Sequence, residues 1–117
     1  QASAAALSAA LMAGIADASS VVDWLLDAAG RDQRLPLVAA NYVLLLFGTL
    51  IGGHEMARAA LAAGRRLAAG EGDPAFLTAK ITTARYYAEH VMPRIAGFAR
   101  AMIDGSATVL ALDTELL

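Results

Sequence analysis

The run "YVLLLFGTLI" (42–51) is apolar in almost every helical direction rather than along one stripe. A helix built on it has to be covered on more than one side. It lies within 35–53, 19 positions without a charged residue, close to the length that crosses a bilayer. Pro36, Asn41, Thr49 and three glycines interrupt that stretch, and it runs without a break into "HEMARAALAAGRR". These features favour a buried central helix over a membrane span. The helix should start near Leu35, with Pro36 tolerated in its first turn, and reach about Ala69.

Two neighbours could cover it. From Ala4 to Ala29, Leu7, Leu11, Ile15, Val22 and Leu25 or Leu26 recur at roughly helical spacing, and Gly30 suits a left-handed C-cap. Farther on, Asp73 and Pro74 read as an N-cap and first helical residue. Leu77, Ile81, Ala84, Ala88, Val91, Ile95, Phe98 and Met102 then alternate by four and three, a heptad-like seam. Pro93 interrupts this helix, because it cannot donate to the Glu89 carbonyl and costs about 3 kcal/mol in a helix interior. A bend there would wrap the helix around its neighbours. Asp104-Gly105 should end it, leaving 105–117 as a short tail that docks or frays. With loops only at 31–34 and 70–73, adjacent helices are expected to be antiparallel. The predicted fold is all-α, an antiparallel up-down-up bundle of three long helices, forming one domain over 1–117.

Composition agrees with helices and removes several chemistries. Alanine occupies 29 positions, and no cysteine is present to supply a disulfide, a thiolate ligand or a nucleophile. A net charge of −2 gives no general attraction to nucleic acid or anionic lipid. His54-Glu55 and Glu89-His90 are adjacent pairs, about 100° apart on a helix, whereas bundle metal sites use Glu and His three residues apart. No HExxH, P-loop or GxGxxG occurs, and neither histidine precedes the Lys-Gly pair of a phosphotransfer bundle. Solvated side chains, with Arg85 pairing to Glu89 one turn on, are the expectation. Gly48, Gly52 and Gly53 suggest close approach of another backbone. Tyr86 and Tyr87 suit a helix–helix or domain–domain contact. No catalytic, cofactor-binding or metal-ligating residue is assigned.

"AKITTARYYAEHVMPRIAGFARAM" (79–102) resembles the closing helix of the C-terminal accessory domain of the acyl-CoA dehydrogenase family, in the acetyl-CoA dehydrogenase-like subgroup. "YVLLLFGTLIGGHEMARAAL" (42–61) is similar to the helix before it, with its Tyr, Phe-Gly and Gly-Gly landmarks. The resemblance implies a longer parent flavoenzyme, active on acyl-CoA thioesters in fatty acid metabolism. There a carboxylate base and FAD remove hydrogens across the α,β-carbons, and an electron-transferring flavoprotein reoxidises the flavin. The base, flavin and CoA contacts lie in the dehydrogenase body, so none is carried over to this chain. The first residue is Gln rather than Met, which suggests a piece of a longer protein, and no secretion signal opens the chain, as expected of a cytoplasmic one. Eight of nine basic residues are Arg, which points to a GC-rich bacterial genome. The alternative is a free-standing helical interaction module without enzymatic activity.

One surface follows from the opening stretch. Three helices cover only part of a cylinder, so some of Tyr42, Leu46, Phe47 and Leu50 should remain exposed as an interaction surface. The dehydrogenase body or a second subunit is expected to cover it, and the isolated chain to self-associate.

Overall fold

A computed structural model describes residues 2–112. Helix α1 spans Ala2–Arg31 and α2 spans Arg34–Ala68. The next helical rod has three parts: α3 (Pro74–Tyr86), a π-helical turn (Tyr87–Val91) and α4 (Arg94–Leu110). No strand occurs among the described residues. The molecule is a slab of 65 × 27 × 18 Å, its thinnest dimension under two helix diameters.

The junctions follow local chemistry. α1 runs through Gly30 to Arg31, so the expected left-handed cap there is absent; positive φ occurs instead at Gly70 and Gly72. The Asp32 carboxylate accepts from the Arg34 amide at 3.0 Å and from its guanidinium at 2.8 Å, tying the α1–α2 turn. Arg34 thereby holds the Asp32 carboxyl at about 2, below its ordinary value. At the far end of α2 the Glu71 amide donates to the Arg66 carbonyl at 2.9 Å, with Gly70 at φ 71°, closing the helix as a Schellman motif does. Asp73 caps α3 as expected, accepting from the Ala75 amide at 3.0 Å ahead of Pro74.

The third rod departs from an unbroken α-helix just before Pro93. The Met92 amide donates to the Tyr87 carbonyl five residues back, at 3.0 Å, and this wider turn adds a residue to the register. Beyond it the buried positions are Met92, Ile95, Ala99 and Met102. The expected seam is buried at Leu77, Ala84, Ala88, Ile95 and Met102 and half-buried at Ile81, whereas half-buried Val91 and Phe98 yield the centre to their successors. α4 also continues through Gly105 and a buried Ser106, whose hydroxyl donates to the Met102 carbonyl at 2.6 Å. The expected tail is therefore helical to Leu110, and its last residues, 113–117, lie outside those described.

Small residues set the face of α1. Leu7, Gly14, Ala18, Val21 and Ala28 are buried, while Ile15, Val22 and Leu26 are exposed. A Cβ on Gly14 would stand 2.8 Å from Leu50 Cδ1 and 3.3 Å from Ile95 Cδ1. The core of the slab thus joins Leu7 and Val21 of α1, Leu46 of α2, and Met92, Ile95 and Met102 of the third rod.

Candidate interaction surface

α2 packs against α1, α3, the π turn and α4, yet its neighbours leave much of it bare. One side is locked to the third rod through Gly52 and Gly53. The Tyr87 ring lies over Gly52 and its hydroxyl donates to the Thr49 carbonyl at 2.8 Å. Met92 fills the space above Gly53, where a Cβ would stand 2.5 Å from the Met92 sulfur. Burial pushes the Tyr87 phenol above its ordinary pKa. Gly48 has nothing within 4 Å of a Cβ, so the close approach expected of this glycine group belongs to Gly52 and Gly53 alone.

The four residues expected to form an exposed surface fall differently. Leu46 is fully buried, which corrects its placement there: it keeps sevenfold register with buried Ala39 and Gly53. Tyr42, Phe47 and Leu50 are half-buried against the core. The bare side of α2 carries Leu37, Leu44 and Ile51, 76%, 72% and 59% exposed. Their spacing of seven is the signal that could have found them, masked by the apolar residues on every other side. α1 adds its own exposed stripe of Met12, Ile15, Val22 and Leu26.

Between the first half of α1 and the second half of α2 runs an open groove of about 730 Å³, lined mainly by Leu7, Leu11, Met12, Ile15, Ala60 and Leu61. Arg65, Ser3 and Ser8 supply its polar edge. Only 22% of the apolar stretch of α1 and 17% of that of α2 is buried. Both helices are long and apolar enough to cross a membrane, although each has a side packed in this bundle. The expectation of a buried central helix is thereby corrected: contact on one side of α2 coexists with a bare face on the other.

Both histidines are on the surface. His54 is exposed, 3.6 Å from Glu55, and His90 stacks on Tyr86 with ring centroids 4.5 Å apart. Arg85 pairs with Glu89 as expected. Among the described residues no group of three or more His, Cys, Asp or Glu is placed to hold a metal.

The model of the family described as acetyl-CoA dehydrogenase C-terminal like matches residues 1–113. The chain belongs to this family. A 3-methylmercaptopropionyl-CoA dehydrogenase from Ruegeria pomeroyi is 41% identical over 71 residues, 61% of this chain and 12% of that protein. The matched part is thus a small fraction of that relative's length. No solved structure matches the chain. Membership of an acyl-CoA dehydrogenase C-terminal family agrees with the resemblance carried by residues 42–61 and 79–102.

Proposed function

We propose that this chain is the C-terminal helical accessory domain, one folded unit over 1–117, of an FAD-dependent, bacterial and cytoplasmic acyl-CoA dehydrogenase of fatty acid metabolism, and that it serves docking or dimer contacts rather than catalysis. The observation that carries this reading is the bare apolar face of α1 and α2 in a chain of this family. Contiguous apolar surface of this kind marks an interaction site, which in the parent enzyme is covered by the catalytic body or a second subunit. The reading includes an up-down-up order of the helices, supported by Gly14 of α1 against Leu50 and by Gly53 of α2 against Met92.

The groove presents apolar side chains with one arginine and two serines at its edge. It lacks the array of donors that a flavin ring and its pyrophosphate call for. FAD, the carboxylate base and the site for an electron-transferring flavoprotein are therefore assigned to the catalytic body, and no residue here is given a chemical role. The test is made on the polypeptide that carries this chain in its natural host. A flavin-containing protein several times longer, active on an acyl-CoA, is expected; removing 1–117 should lower its assembly size or melting temperature and leave flavin bound. A natural polypeptide of only this helical unit would overturn the reading.

A further inference from the structure

The groove differs in charge from the rest of the α1–α2 face. The first half of α1, 2–16, carries no charged residue, so the charges flanking the groove come from α2: Glu55, Arg58 and Arg65. Arg58 is paired with Glu55 at 3.2 Å. Arg65 has no ion-pair partner among the described residues, which leaves this rim net positive. The second half of α1 is the opposite: exposed Val22 and Leu26 flank Asp23, which also has no ion-pair partner among the described residues. One half of the face offers an apolar groove with a basic rim, and the other an apolar ridge with an acidic flank.

We propose that the two halves meet across a two-fold axis, so that a second copy of this chain fills the groove. The geometry follows from register. Two α1 helices crossing antiparallel at Ile15 by about 20°, a common helix-packing angle, diverge by about 4–6 Å over ten residues at 1.5 Å each. That shift carries Val22 and Leu26 of each copy from above the partner's α1 onto the groove between its α1 and α2. Val22 then lies level with Ser8 and Ala57, and Leu26 with Ala4 and Leu61, all groove-lining residues. Asp23 comes level with Arg58, with Arg65 about two helical turns farther along the groove. Symmetry repeats every contact, as an isologous interface requires. An apolar ridge in an apolar groove supplies the drive, and the opposed charges fix the antiparallel direction.

This deepens the docking role proposed above by naming a partner, and the two fail separately: a solitary natural polypeptide would sink the parent enzyme and leave this pairing standing. The test is sedimentation equilibrium of the 117-residue chain at micromolar concentration, with helicity followed by circular dichroism. A dimer is expected. Leu26→Asp, at a side chain 72% exposed in the single copy, should keep the helicity and yield a monomer. Asp23→Arg and Arg58→Asp should each weaken the dimer by about tenfold through like-charge opposition, and together restore it. A monomeric wild-type chain, as expected if an acidic helix of another protein fills the groove, would overturn the proposal. A dimer indifferent to Leu26→Asp, or one that the paired charge swap fails to restore, would do the same.

Discussion

Tyr86 and Tyr87 are neighbours in sequence and opposites in structure. Tyr86 is exposed and stacks on His90, whereas Tyr87 is half-buried and donates to the Thr49 carbonyl. The sequence marked the pair as contact residues without distinguishing them, because adjacent helical positions differ by 100° and the phase depends on the π turn. Tyr87→Phe should cost about 0.5–1.5 kcal/mol in urea unfolding, the usual net worth of one hydrogen bond. It should also change the alkaline limb of the stability profile. The folded phenol is raised by burial above its unfolded value of 10.0. Its contribution is therefore present below that unfolded value and is lost as pH rises from it toward the folded one. The wild-type chain should lose stability there more steeply than Tyr87→Phe; equal slopes would show that the phenol titrates alike in both states.

At the level of elements, α2 and the start of α3 were legible because their signals are local: Pro36 in a first turn, Asp73-Pro74 as a cap. The face of α1 was not. Its large side chains, Ile15, Val22 and Leu26, point outward, while Gly14 and Ala18 allow close packing; in an alanine-rich helix the periodicity of large residues misleads. The π turn was foreshadowed only by Pro93, which signals a disturbance and not its form. Glycines of α2 give a sharp test of this packing. Gly48→Ala should stabilise by about 0.5–1 kcal/mol, since its Cβ meets nothing and glycine is the poorer helix former. Gly53→Val should destabilise by about 1–3 kcal/mol, because the branched side chain must displace buried Met92. Thermal melts of the two variants shifting in the same direction would contradict the assigned contacts.

Across the whole molecule, burial is concentrated where α2 meets the third rod, and it thins toward the outer edge of α1. Leu46, Ile95 and Met102 are fully enclosed, while most of the α1 apolar stretch is bare. Such an uneven core should open in stages, since local stability follows the density of buried apolar contact. Ile95→Ala should cost about 2–5 kcal/mol, and Leu44→Ala, at a side chain 72% exposed, under about 0.5 kcal/mol. Hydrogen exchange reads the same gradient without mutation. The amides around Leu46 and Ile95 should exchange slowest, near the rate of global unfolding. Those of the first half of α1, beside the open groove, should exchange faster in a dilute chain and slow when the concentration is raised, because a partner covering the groove must dissociate before α1 can lift away. Uniform protection along α1 and α2 at every concentration would mean that the bundle opens only as one unit and that the bare face has no bearing on its stability.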